Sequence, residues 1–361
     1  MTIDKTFWKG KKVLVTGHTG FKGSWLSLWL KNLGSRVIGY SLPPPTKPSL
    51  FELARIDEGM TSIIGDVRNL NDVQTVMFNN EPEIVFHMAA QPLVRYSYMH
   101  PVETYDTNIM GTVNVLEAVR QSKTVRSVII ITSDKCYENS EWVWGYREND
   151  RMGGRDPYSS SKGCAELITA AYRSSYFAGM GDDLSQSKSI ATVRAGNVIG
   201  GGDWAEDRLV PDIIKAIIEN RPVIIRHPDA IRPWQHVLEP LCGYLMLAEH
   251  LCTQGEEFAG AWNFGSGDED ARPVSWIVEL ITSLWGGEAR WELDSTDHPH
   301  EAMYLKLDCS KAKSLLGWLP KLHLSEALEW TVEWYQGYKQ NRNMSQLTTD
   351  QIFQYEALGR L

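Results

Sequence analysis

The chain has 361 residues, 43% of them hydrophobic and 22% charged, with a formal net charge of −9. That length supports a large core in one or two domains, and the acidic balance argues against a nucleic-acid binder. Five scattered cysteines offer neither a disulfide framework nor metal-ligand spacing, and no stretch is apolar enough for a signal peptide or membrane span; a reducing cytoplasm and no metal are expected.

The first unit begins at Lys12. An apolar strand, Val13-Leu14-Val15, enters Gly17-His18-Thr19-Gly20-Phe21-Lys22-Gly23, and Trp25, Leu26, Leu28, Trp29 and Leu30 follow at helical intervals. Glycine suits a phosphate site because a Cβ would hold a pyrophosphate away from the amide hydrogens at the helix N-terminus. The spacing G-x-x-G-x-x-G differs from G-x-G-x-x-G, but the flanking strand and helix supply the context the motif needs. The loop is expected to hold a dinucleotide.

A second strand, 36–40, should end in an acidic residue if it grips a ribose hydroxyl. Instead Tyr40-Ser41-Leu42 and Pro43-Pro44-Pro45 follow, with no arginine for a 2′-phosphate. The residues leave NAD and NADP both open, with NAD ahead. The third strand, 61–65, ends at Asp66-Val67, where a carboxylate could accept from an adenine amino group or simply face solvent. The fourth, 84–88, ends at Ala89-Ala90-Gln91, small residues that would let a cofactor lie against the backbone.

A helix over 101–120 carries Tyr105, Ile109, Val113 and Leu116 periodically, with Asn108 among them. The run Val128-Ile129-Ile130-Ile131 reads as a strand buried on both faces. It breaks into Thr132-Ser133-Asp134-Lys135-Cys136-Tyr137, and chemistry in such sheets sits just past the carboxyl ends of strands. Tyr158-x-x-x-Lys162 then opens an apolar helix. The two long helices could pair with a partner's copies or pack within one subunit. A sixth strand, 189–194, precedes the turn Ala195-Gly196-Asn197.

Strands alternating with helices predict an α/β fold, a Rossmann-like doubly wound parallel sheet, over residues 1–196. From 197 to 340 short strands (223–226, 262–264) and helices alternate irregularly, as in a smaller mixed α/β substrate-binding lobe. Arg194, Arg208, Arg226 and Arg232 suggest an anionic ligand there, such as a diphosphate. Trp142, Trp144, Trp204 and Trp234 fall in loops near the same end. The tail, 341–361, is polar with scattered apolar residues and is expected to dock or stay partly disordered.

Together, the glycine loop, Asp66-Val67, Ala89-Ala90, the Ser133 strand end, Tyr158-x-x-x-Lys162 and Arg194-x-x-Asn197 resemble the extended short-chain dehydrogenase/reductase family. The likeness runs from about Trp8 to Tyr338. Within it, Ser133 to Tyr137, Thr16 to Trp25 and Leu42-Pro43-Pro44-Pro45-Thr46 resemble the branch that dehydrates CDP-glucose. This implies a hydro-lyase of deoxysugar and O-antigen-type polysaccharide synthesis, with NAD as cofactor, CDP-glucose as substrate, and a homodimer or dimer of dimers.

The resemblance further implies that Gly17, Thr19, Gly20, Phe21, Lys22, Gly23, Asp66, Val67, Ala89, Ala90, Gln91, Asn108, Tyr158 and Lys162 hold the cofactor. Ser133, Asn197, Arg208 and Arg232 would meet the substrate; so would His300 and Tyr304, whose surrounding spacing is one residue off the wider family's. Tyr158, its phenol lowered by Lys162 and the charged nicotinamide, would take the proton of the sugar 4-hydroxyl, with Ser133 on the same oxygen, and Asp134 would protonate the departing 6-hydroxyl. Lys135, where related dTDP-glucose dehydratases carry glutamate, would remove the hydrogen on carbon 5, or Asp134 would make both transfers. A lysine base requires a pKa well below its ordinary value of about 10.4. The alternative is a nucleotide-sugar 4-epimerase, which shares the serine, Tyr-x-x-x-Lys and NAD but has no use for Asp134 and Lys135.

Overall fold

Across the residues that the computed structural model describes, 3–177, 188–286, 291–294 and 305–358, the backbone forms twelve strands. They are β1 (Lys12–Thr16), β2 (Arg36–Ser41), β3 (Thr61–Ile64), β4 (Ile84–His87), β5 (Ser127–Ile131), β6 (Ser189–Ala195), β7 (Asn197–Ile199), β8 (Val223–Ile225), β9 (Ile231–His236), β10 (Gly260–Phe264), β11 (Ala271–Pro273) and β12 (Trp291–Leu293). Seven make one sheet in the order β10-β6-β5-β4-β1-β2-β3, every pair parallel. Strand order reverses between β1 and β4, the position at which such sheets open a crevice for ligands. The pairing Thr16↔His87 sets the end of β1 beside the end of β4. The predicted doubly wound sheet is present, with strand limits shifted by a residue or so.

Helices cover both faces, which is why β4 and β5 are buried along their whole lengths. Alternate strand residues divide between two cores. Val13 and Val15 join Trp8, Trp25, Trp29 and Trp262 on one side, while Leu14 joins Ile38, Val85 and Val128 on the other. The remaining strands form a three-stranded sheet, β11-β9-β7, and a two-stranded one, β12-β8. No described helix is long and apolar enough to cross a membrane.

Two elements differ from expectation, and the tail takes one of its two expected forms. Residues 262–264, assigned from sequence to the lobe, belong to β10, which extends the main sheet by pairing with β6; a short apolar strand does not declare so distant a partner. The helix over 101–120 is interrupted by a π turn, Asp106–Met110, between Pro101–Tyr105 and Gly111–Gln121. The tail forms a helix, Met344–Ala357, that buries Met344, Leu347, Ile352 and Tyr355. Those residues recur every three to five positions, a stripe that the polar composition concealed. Tyr355 Oη donates to Glu239 Oε2 at 2.7 Å, and so ties the tail into the core.

Candidate active site

After β1 the chain turns at Gly17, whose φ of +76° lies in the left-handed region. A Cβ there would stand 2.7 Å from the backbone nitrogen of Ala89, and one at Gly23 would stand 2.1 Å from the Gly17 carbonyl oxygen. The following helix, Phe21–Asn32, starts at Gly20, which offers no side chain to cap its first amides. Loop, helix start and the end of β4 therefore bring bare backbone together where side chains would intrude. That cradle fits a dinucleotide pyrophosphate.

Neighbouring residues mostly brace the cradle. Thr19 Oγ1 donates to Leu42 O at 2.8 Å and lies 2.9 Å from Ser41 Oγ, pinning the loop to the end of β2. Asn108 is fully engaged: its Nδ2 donates to Gln91 O and Ser161 Oγ, and its Oδ1 accepts from Gln91 N. Asp66 takes three hydrogen bonds from Arg68, two from the guanidinium and one from the backbone N–H, which hold its carboxyl below the usual range. Val67 is buried, and its carbonyl accepts from Asn114.

At the end of β5 the chain enters a cleft of about 340 Å³, lined by Phe21, Lys22, Ala90, Ser133, Asp134, Lys135, Tyr158, Lys162, Asn197, Arg208 and Arg232 among others. Ser133 Oγ donates to Asp134 Oδ1 at 2.9 Å and accepts from Lys135 N at 3.3 Å. Gly196 makes room for this acid, since a Cβ there would stand 3.2 Å from Asp134 Oδ2. Opposite, the helix Pro157–Tyr172 begins at an Asp156 cap and presents Tyr158 and Lys162 one turn apart. Lys162 Nζ donates to Ile131 O at 3.1 Å.

Burial governs the electrostatics. Against the expected lowering by Lys162, it pushes the Tyr158 phenol up to about 12, although the hydrogen bond with Ser133 pulls the other way. It also raises the Asp134 carboxyl, although Lys135 and the Ser133 hydrogen bond oppose it. Lys162 falls to about 8 through burial and the nearby Lys22 charge. Lys22 falls to about 8 through burial and Arg208, with Asp134 and Asp203 opposing. The arrangement sets cations beside a phenol and a carboxyl that burial raises. It suits an anionic ligand and proton transfer in both directions.

Arg194 does not face this cleft. It is buried, donating to both oxygens of Glu166 and to the Glu148 carbonyl, so its expected contact with an anion gives way to an internal ion pair. Glu166 follows Tyr158 and Lys162 on the same helix at four-residue intervals and also accepts from Thr132, next to Ser133. Arg208, by contrast, lines the cleft and donates to Asp203 at 2.8 Å. Of the four tryptophans, Trp234 lines the cleft, whereas Trp204 packs on Tyr335 and Tyr338, and Trp142 on Trp144 and Tyr146. His300 and Tyr304 lie outside the described residues. Sequence reasoning missed Asp203, Asp207 and Asp212, whose only early signal is their closeness to the glycine-rich turn after Asn197.

The model of the GDP-mannose 4,6 dehydratase family matches residues 14–331. A CDP-glucose 4,6-dehydratase of Salmonella typhimurium is 56% identical over 353 residues, spanning 98% of both chains. A UDP-glucose 4-epimerase of Halalkalibacterium halodurans is 24% identical, over 90% of this chain and 97% of its own. Among solved structures, MoeE5 in complex with UDP-glucose and NAD superposes with a TM-score of 0.76 at 26% identity, covering 91% of this chain and 99% of its own.

Proposed function

The chain belongs to the GDP-mannose 4,6 dehydratase family, within the extended short-chain dehydrogenases/reductases, and from that premise we propose that it is an NAD-dependent lyase converting CDP-glucose to CDP-4-keto-6-deoxyglucose and water. The observation that carries this reading is the joint presence, on one strand end in the cleft, of Ser133, Asp134 and Lys135 facing Tyr158 and Lys162. Near-complete coverage by a 56% identical CDP-glucose 4,6-dehydratase supports the choice of substrate.

The backbone of Gly17, Gly20 and Gly23, the first amides of the following helix, and Ala89 to Gln91 would hold NAD, with Lys162 beside its nicotinamide end. NAD held there would supply the acceptor for a hydride from carbon 4 of the sugar and the donor of the same hydride to carbon 6. Tyr158, as phenolate, takes the proton of the sugar 4-hydroxyl, and the Ser133 hydrogen bond and the Arg208 charge favour that ionised form against burial. Ser133 orients the same oxygen. With carbon 4 a ketone, the hydrogen on carbon 5 is acidic; Lys135 removes it and gives a proton back to carbon 5 when hydride adds to carbon 6. Asp134, its carboxyl raised by burial, gives a proton to the departing 6-hydroxyl, which leaves as water. Asn197, Arg208 and Arg232 hold the diphosphate.

The enzyme acts in the cytoplasm as a homodimer or dimer of dimers. Apolar side chains left exposed beside the Tyr158 helix, Met99 and Val102 together with Leu167 on the helix itself, support pairing with a second copy. A monomer mass by sedimentation would count against this assembly. Incubation with CDP-, UDP- and dTDP-glucose followed by mass spectrometry tests the activity. Loss of one water from CDP-glucose is the expected result, and an unchanged mass with altered sugar stereochemistry would instead indicate an epimerase.

A further inference from the structure

How the cleft recognises the base of its nucleotide sugar is a question that rests on the dehydratase reading. Ser133 and Asp134 stand at the end of β5 with Tyr158 opposite, and Arg208 leads into the helix Leu209–Ile218, which carries Asp212 in its first turn. With the sugar at Tyr158 and the diphosphate beside Arg208, the nucleobase is left with the end formed by β8 and the first turn of the helix Leu209–Ile218.

That end carries a seat and a reader. Val210 of the helix and Val223 and Ile225 of β8, all buried, line the cleft there. They offer an apolar surface to a planar ring. Asp207 Oδ1 is committed to two arginines, accepting from Arg226 Nη2 at 2.6 Å and Arg95 Nη1 at 3.3 Å. Asp212 lines the same end, yet its carboxylate makes no hydrogen bond or ion pair with any described residue. Partial burial and the neighbouring Asp207 push it up to about 6. An acid in a first helical turn suits the helix dipole, which explains why Asp212 is tolerated but not why it faces the cleft without a partner.

We propose that Asp212 is the specificity-determining residue for the nucleobase, its carboxylate accepting a hydrogen bond from the exocyclic amino group of cytosine. A carboxylate is a natural acceptor for that amino group. Uracil and thymine carry a carbonyl oxygen in its place, so two acceptors would face each other with no proton between them. Discrimination then comes as much from repulsion of the wrong base as from attraction of the right one.

The test measures binding of CDP and UDP by calorimetry, and kcat/KM for CDP-glucose and UDP-glucose, in wild type, Asp212→Asn and Asp212→Leu. Wild type should prefer the cytidine ligands. Asp212→Asn, whose amide can donate to a carbonyl, should lose about ten- to a hundredfold of that preference. Asp212→Leu should weaken CDP and leave UDP near its wild-type affinity. The preference is a ratio within each variant, so a partly unfolded preparation does not alter it. A preference equal in wild type and both variants overturns the assignment. A wild type that binds CDP selectively, loses that selectivity in the variants, and yet releases no water from CDP-glucose supports Asp212 while overturning the dehydratase.

Discussion

The Glu166 carboxylate receives Nε and Nη2 of Arg194, each at 2.8 Å, with the two side chains 5% and 2% exposed. This bidentate pair joins the helix of Tyr158 and Lys162 to β6, and through Thr132 to the strand end that carries Ser133. Burial alone would raise the Glu166 carboxyl, but the Arg194 hydrogen bonds and charge outweigh it and hold the acid ionised. Glu166→Gln leaves a buried guanidinium uncompensated and should cost about 3–5 kcal/mol in urea unfolding. Combining it with Arg194→Met should recover part of that loss. Single variants within about 0.5 kcal/mol of wild type would mean that the pair is not the brace described.

Tyr158→Phe removes a hydroxyl and little else. Turnover should fall by about 10²–10⁴-fold, with binding of CDP-glucose nearly unchanged. Lys162→Met should reduce both turnover and retention of NAD, because that amine also stands at the nicotinamide end. A Tyr158→Phe enzyme that keeps more than about a tenth of its turnover, a barrier change under ~1.4 kcal/mol, would remove Tyr158 from the role of base.

Asp134 and Lys135 serve elimination rather than oxidation in this account. Asp134→Asn keeps size and hydrogen bonding but has no acidic proton to give, and Lys135→Met keeps the stem without the amine. Either variant mixed with CDP-glucose should build up the near-ultraviolet absorbance of reduced nicotinamide and yield little keto-deoxy product. Each should slow elimination by about 10²–10⁴-fold, and together less than additively, since both act in one proton-transfer step. Normal turnover in Lys135→Met would make Asp134 the base at carbon 5.

Glu239 predicts a pH effect on stability. Burial raises its carboxyl from 4.5 to about 7 in the folded state, against hydrogen bonds from Tyr355 and from the Lys321 and Leu322 amides. A raised acid favours folding while it stays protonated. As pH climbs from 4.5 toward 7 the unfolded chain ionises first, so this contribution is progressively lost. Relative to Glu239→Gln, wild type should therefore lose stability across that window, by on the order of 1–3 kcal/mol. Urea midpoints at a series of pH values measure the difference, and parallel curves would exclude Glu239 as its source.

What the sequence disclosed was what local spacing encodes. The glycine loop, the Ser133 strand end and Tyr158-x-x-x-Lys162 each need only a few consecutive residues to declare their context, and β1 to β6 alternate regularly with helices. What it hid depends on distant partners. Arg194 reads as a ligand arginine until Glu166 is seen beside it, 28 positions away. β10 gives no hint that it closes the edge of the main sheet. The tail looks polar until Tyr355 is found against Glu239. Asp212 is an ordinary helix-start acid in sequence, and only the cleft reveals that it lacks a partner.

The central claim is dehydration by internal hydride transfer, and CDP-glucose deuterated at carbon 4 tests it most directly. Mass spectrometry and proton NMR of the product should show one water lost and the deuterium retained in the new methyl group at carbon 6. Deuterium still on carbon 4 of a sugar of unchanged mass and inverted configuration, or a methyl group without label, would contradict it.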